Sequence, residues 1–325
     1  MYALYMATEN TPDTLLGAIT SFADLDVATA FVAGLRWPNG VRCPHCDSVD
    51  TPYVQSRRIW QCKNCRKQFS VKVGSIFEDS PIPLSKWLPA MWLLVNCKNG
   101  VSSYEIARDL GVTQKTAWFM LHRLRLAIQA KSFDKFGGHV ELDETFIGGK
   151  ARNMHYSKRK RMGITQGKSM AGKVAVFGLL ERHGQDGHSR VRVASIKSNK
   201  RRHLMPHVMD HVERGSTVHT DSLTSYVSLE TDYTHKVIDH AEAYVDGEVH
   251  TNGLENFWSL LKRSIRGTYV SVEPFHLFRY LDEQVYRFNS RKQSDGVRFL
   301  EACASVFGKR LTYSTLTGKD LPQSC

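Results

Sequence analysis

The chain has no apolar run approaching the roughly 20 residues that a bilayer-spanning helix needs, so no membrane partner is expected. Its opening, MYALYMATENTPDTLL, lacks the basic start and continuous apolar core of a secretory leader. A cytoplasmic protein with reduced thiols is the expectation. Acidic residues are in deficit: 32 Asp and Glu stand against 44 Lys and Arg, a net charge of +12 and a pI near 9.4. Such a balance points to a polyanionic partner, most often nucleic acid. The deficit is sharpest in residues 150–173, where Lys150, Arg152, Lys158, Arg159, Lys160, Arg161, Lys168 and Lys173 occur with no carboxylate between them. A loop of one sign of charge persists where a polyanion neutralises it. Cysteine is sparse too, and Cys97, Cys303 and Cys325 are scattered, which argues against a disulfide framework.

What is present is a chain of 325 residues, 42% hydrophobic and 10% aromatic, long enough for several domains with a substantial core. Residues 1–40 read as a helical lead-in with an amphipathic stripe through Phe22, Leu25, Val27, Phe31 and Leu35. Cys43-Pro44-His45-Cys46 is followed after fifteen residues by Cys62-Lys63-Asn64-Cys65. Two such pairs, with Tyr53, Val54, Ile59 and Trp60 between them, have the spacing of four thiolates around one tetrahedral zinc, so residues 41–75 are expected to form a zinc ribbon. Four thiolates leave no open position, so this one zinc is structural.

Residues 80–130 read as helical. The segment 86–96 carries Trp87, Leu88, Met91, Trp92 and Leu94 as a buried helix. In SSYEIARDLGVTQKTAW a serine cap, a glycine break at Gly111 and a second cap at Thr113 give the layout of a helix-turn-helix. Its second helix, running through Arg125, would offer Gln114, Lys115, Arg123 and Arg125 to DNA.

From residue 139 the pattern turns to β. HVELDETFI alternates, 174–180 is a continuous apolar run and RVRVASI alternates again, which predicts an antiparallel meander. A helix over 199–212, a strand over 217–220 ending at Asp221, a short helix over 222–229 and a strand over 235–238 follow. A polar linker, 239–248, leads to HTNGLENFWSLLKRSIRGTY at 250–269. There Leu254, Phe257, Trp258, Leu261 and Ile265 recur at three- and four-residue steps, one apolar helix face. Glu255 and Lys262 are two turns apart and project in nearly one direction, with Arg263 and Arg266 close by. Trp258 reads as core. Helices over 273–289 and 297–307 are expected to complete the cover of the sheet.

The order is thus β-β-β-α-β-α-β-α, with Asp143 inside the first strand, Asp221 ending the fourth and Glu255 on the last helix. With LDETFIGGK, HTDSLTSY, the 250–269 helix, the CPHC/CKNC ribbon and the paired helices, the chain resembles the bacterial insertion-sequence transposases of the IS1595 family, relatives of the Merlin transposons. The resemblance implies a multidomain α+β/α/β fold, with a ribonuclease-H-like mixed sheet flanked by helices over 136–310 and a tail over 311–325. It implies a DDE-type transposase that binds the terminal inverted repeats of its element and joins them to target DNA, as a homodimer or higher oligomer on double-stranded DNA of the nucleoid. It further implies two catalytic Mg²⁺ or Mn²⁺ ions, with Asp143 the shared ligand, Asp221 the second and Glu255 the third. Some members of the family are described by a triad ending in Asn, which points to Asn252. Glu255 is favoured as the anionic ligand and Asn252 as a weaker oxygen ligand or phosphate contact, while Lys262, Arg263 and Arg266 would hold the DNA backbone. Glu144, next to Asp143 on a strand, should face the other way. Two further readings stay open: a DNA-binding regulator with an inactive catalytic domain, and a nuclease of the same fold without strand transfer.

Overall fold

The computed structural model describes residues 11–129, 134–149, 155–161, 172–184, 187–221, 224–238 and 250–319. The chain splits into two compact units, one of Met1–Gln129 with Lys292–Cys325 and one of Ala130–Arg291. Among the described residues no single helix is long and apolar enough to cross a membrane.

In the first unit the expected lead-in is two helices, α1 (Leu15–Ala23) and α2 (Leu25–Arg36). Thr14 caps the first, and Asp24, in an extended conformation, ends it and caps the second. The ribbon follows as three short antiparallel strands, β1 (Tyr53–Val54), β2 (Ile59–Gln61) and β3 (Gln68–Phe69), in the order β1-β2-β3. Trp60, on the middle strand, stacks with Phe69 and tilts against Tyr53. Next comes α3 (Leu84–Asn96), buried along most of its length. The paired helices are α4 (Ser103–Leu110), begun by a capping box between Ser102 and Glu105, and α5 (Gln114–Ala127), capped by Thr113. Gly111 ends α4 in the left-handed region, φ 59°, where a side chain would be strained.

Two expectations fail in this unit. Arg123 and Arg125 are 5% and 1% exposed, so neither offers its guanidinium to DNA. Arg123 instead donates to the carbonyls of Ile76 (2.8 Å), Glu78 (2.8 Å) and Leu311 (3.0 Å), tying three chain segments together. The helix α10 (Asp295–Ala304) is the second correction. It was expected on the sheet, but Phe299 packs among Phe22, Phe31 and Trp92 of the first unit, and Arg298 donates to Asn96 at 2.9 Å. An apolar stripe shows that a helix packs, not which partner it finds.

The second unit is a five-stranded mixed sheet of β4 (His139–Ile147), β5 (Val174–Glu181), β6 (Arg190–Ile196), β7 (Thr217–Asp221) and β8 (Thr234–Ile238), in the order β6-β5-β4-β7-β8. The meander β4-β5-β6 is antiparallel as expected, while β7 and β8 join parallel to β4. One face, with Val140, Leu142, Phe177 and Leu179, packs under α7 (Arg201–His211) and Tyr226. The other, with Ile147, Val176 and Leu180, packs under α8 (Asn252–Gly267) through Leu254, Phe257, Trp258 and Leu261, and under α9 (Leu277–Asn289). The expected helix over 222–229 is a 3-10 helix, Thr224–Thr231. Within the basic loop, Tyr156–Arg161 is helical (α6). The rest of that loop, apart from His155, Gly172 and Lys173, and the 239–248 linker lie outside the described residues.

Candidate functional site

Two centres gather the chemistry-bearing residues. In the ribbon, the ligand atoms of Cys43, Cys46, Cys62 and Cys65 all lie within 4.8 Å of one another. Cys43 Sγ stands 3.6 Å from Cys65 Sγ, and Cys46 Sγ 3.5 Å from Cys62 Sγ. A tetrahedral zinc at about 2.3 Å from each sulfur would separate the sulfurs by roughly 3.8 Å, so the cage fits that ion. Backbone N–H groups of His45 and Cys65 donate to the sulfurs of Cys43 and Cys62, and the Cys65 N–H lowers the Cys62 thiol to about 6. His45 supplies its backbone N–H to the turn.

The second centre lies where α8 crosses β4. Period-2 alternation puts Glu141, Asp143 and Thr145 on the α8 face of the sheet. The parallel register aligns Glu141 with His219, and two residues further along each strand stand Asp143 and Asp221. Adjacent strands of one sheet thus carry these two carboxylates, and α8 brings Glu255 into one cleft with Asp143. A cleft of about 530 Å³ is lined by Asp143, Glu144, Glu255, Trp258, Lys262, Arg263 and Arg266, among others. Asp143 and Glu255, far apart in sequence, therefore share one solvent-reached space with three cationic side chains. Asn252 is exposed and does not line this cleft.

Asp143 is positioned from two directions. Its Oδ2 accepts the indole Nε1–H of Trp258 at 2.8 Å, and its Oδ1 accepts the Glu144 backbone N–H at 2.7 Å. Trp258 can reach because the residue paired with Asp143 on β5 is Gly178. A Cβ there would stand 2.6 Å from Trp258 Cζ2 and 2.9 Å from Leu254 Cδ2, so no other residue leaves room. Burial pushes the Asp143 carboxyl up to about 6; the charges of Asp221 and Glu255 push the same way, and the two hydrogen bonds oppose them. Glu144, expected to face away, also lines the cleft, and its Oε1 accepts the hydroxyl of the buried Tyr226. Burial first, then Asp221 and Asp143, raise its carboxyl to about 7. Two half-buried carboxyls at one cleft thus both hold their protons above the usual carboxylate range.

Among the described residues the four cysteines form the tight ligand cluster, and Asp143, Asp221 and Glu255 stand further apart than that. Their oxygens are hard donors from three separate elements, which suits a hydrated divalent cation better than a dry tetrahedral cage. Of the expected DNA-facing residues, Lys115 and Lys160 are exposed and Arg159 is half-buried. Gln114 is half-buried and donates to Ser103 at 2.9 Å. The side chains of Lys158 and Arg161 lie outside the described residues. Sequence reasoning missed the donor role of Trp258 and the Tyr226 partner of Glu144; Gly178, inside an apolar strand, is a signal that could have found the first.

Two family matches and two curated relatives bear on this geometry. Residues 135–289 match the ISXO2-like transposase domain, and residues 25–68 match the transposase zinc-ribbon domain. An uncharacterized protein in the transposable element ISH50 of Halobacterium salinarum is 29% identical over 255 residues, covering 75% of this chain and 84% of its own length. An uncharacterized transposase-like protein of Haemophilus influenzae is 28% identical over 99 residues, 30% of this chain and 80% of its own.

Proposed function

For a chain that belongs to the IS1595 transposase family through both its zinc ribbon and its transposase domain, we propose the role of an insertion-sequence transposase that cuts and joins DNA at the sheet cleft. The observation that carries this reading is the meeting of Asp143 and Glu255 in one cleft rimmed by Lys262, Arg263 and Arg266, with Asp221 on the adjoining strand. Strand order, mixed pairing and an acid on each of β4, β7 and α8 support a ribonuclease-H-like catalytic unit over the sheet.

In this reading Asp143, Asp221 and Glu255 are the oxygen donors to Mg²⁺ or Mn²⁺. Bound there, the cations would supply Lewis-acid stabilisation of charge on the attacking and leaving oxygens of a phosphodiester. Trp258 holds the Asp143 carboxylate in one orientation, so that little ordering is left to the moment of reaction. Lys262, Arg263 and Arg266 bind the phosphate backbone and align the scissile bond over the carboxylates. The α4–α5 pair acts as a helix-turn-helix with Lys115 exposed at the start of its second helix, and together with the ribbon recognises the element's terminal inverted repeats. Pairing two ends requires at least two copies on DNA.

Joining of a labelled duplex bearing the element's terminus to a plasmid, with Mg²⁺ or Mn²⁺, tests the proposal. Wild type should join the ends, while Asp221→Asn should bind the duplex and leave it uncut. Cleavage without joining would favour the nuclease reading, and binding without cleavage the regulator.

A further inference from the structure

Two residues before Asp143, on the same face of β4, Glu141 is 1% exposed and fully engaged. Its Oε2 accepts the backbone N–H of Leu254 at 2.9 Å, and its Oε1 accepts Arg182 Nε at 2.7 Å and lies 3.5 Å from His250 Nδ1. Arg182, next after the end of β5, also donates to the backbone carbonyl of His250 and lies 2.8 Å from its Nδ1. The helix α8 has no side-chain cap of its own, since Thr251 makes no such bond. A strand carboxylate 113 residues earlier takes that place. It satisfies one of the orphan donors of the first turn and sets negative charge at the positive end of the helix. Gly253 permits the approach: a Cβ there would stand 2.9 Å from Glu141 Oε2, 3.1 Å from its Oε1 and 3.0 Å from Leu180 Cδ2.

We propose that Glu141, with Arg182 and His250, is a positioning clamp that sets where Glu255 stands over Asp143. Glu141 is two residues from Asp143 on one side, and its hydrogen-bonded partner Leu254 is the residue before Glu255 on the other. One carboxylate therefore ties the strand that carries the first donor to the turn that carries the third. Stability alone is a poor account of it, because a buried ion pair stabilises a fold little or not at all compared with an apolar layer of equal volume. The far end of α8 is held separately: Tyr269 donates to Glu283, which pairs with Arg287, and Ser264 bonds Gln284. Loss of the clamp should free the first turn of α8 and leave the helix on the sheet.

The inference rests on the transposase reading, and its test separates the two. In the full-length zinc-loaded protein, Glu141→Gln keeps the volume of the side chain and removes its charge. We expect strand transfer to fall about tenfold or more, since displacement of a reacting group by about an ångström can cost a hundredfold. Affinity for the terminus duplex should stay unchanged, the Mn²⁺ concentration for half-maximal rate should rise, and amide hydrogen exchange should speed up at Leu254 and Glu255 but not in β4 or β5. Arg182→Lys should do the same in milder form and serves if Glu141→Gln does not fold. An unshifted Mn²⁺ dependence, with exchange accelerated across the whole sheet, would reduce Glu141 to an ordinary stabilising residue and overturn the clamp. If wild type joins no DNA, the transposase reading falls, and exchange at Leu254 alone then decides for or against the clamp.

Discussion

In the ribbon all four metal donors come from two short turns, and each turn delivers its pair by local geometry. The carboxylates proposed as the second donor set, Asp143, Asp221 and Glu255, come from a strand, a neighbouring strand and a helix, and nothing local to any of them sets their spacing. The thiolate centre is therefore written in one stretch of sequence and closes on itself. The carboxylate centre depends on the register between β4 and β7, on Gly178 leaving space for Trp258, and on what fixes the first turn of α8. The ribbon's shell is closed, whereas the cleft stays open to solvent and holds carboxyls raised first by burial and then by their neighbours' charge.

Breaking the closed centre should have the largest effect. Cys62→Ser, or extraction of zinc by a chelator, should unfold residues 41–75, because structural zinc contributes on the order of 10 kcal/mol to such small domains. Loss of the ribbon's amide dispersion in NMR, with signals of the sheet unit retained, is the expected reading. The open centre should respond the opposite way. Asp143→Asn should lower strand transfer by about a thousandfold or more, as expected of a group acting on the transition state, and yet raise thermal stability.

The sign of that gain follows from the carboxyls. Asp143 and Glu144 titrate near 6 and near 7 in the folded chain, against about 4 when unfolded. A raised folded pKa means that the native state holds its proton longer, so this contribution is fully present below about pH 4 and is lost as pH rises through 6 and 7. Without added divalent cation, the melting temperature of wild type should therefore fall from pH 5 to pH 8 more than that of Asp143→Asn or Glu144→Gln. A gap of about 3 °C or more at pH 8 is expected.

A smaller contrast separates two basic residues of α5. Arg123→Ala should destabilise the first unit by about 3 kcal/mol, since it orphans three carbonyls and opens a cavity. Lys115→Ala should leave the melting temperature unchanged and weaken binding of the terminus duplex severalfold, with a shallower salt dependence. Denaturant melts and a salt titration of binding read the two apart.

These residues also mark where the sequence is legible. Strands β4 and β6 fall at the expected residues because period-two alternation marks a strand even in a sheet covered on both faces, and Cys43 to Cys65 needed only spacing. The charges of Arg123 and Arg125 carried no sign of their burial, because three carbonyl partners far apart in sequence create the need for the Arg123 guanidinium. Likewise the stripe of α10 was visible but its partner was not. Trp258 was read as core, which its burial bears out, yet its indole N–H serves Asp143 through a glycine on another strand. Glu141 stood in plain view two residues before Asp143, where an acid on a buried face needs a partner that only the fold supplies.

The proposed reaction stands on Asp143 and Glu255 meeting in one cleft. The most direct measurement is strand transfer of the labelled terminus by wild type, Glu255→Gln and Asn252→Ala side by side, at equal binding of DNA. Glu255→Gln should join no ends, while Asn252→Ala, whose side chain lies outside the cleft, should stay near wild type. Activity retained by Glu255→Gln and lost in Asn252→Ala would contradict it.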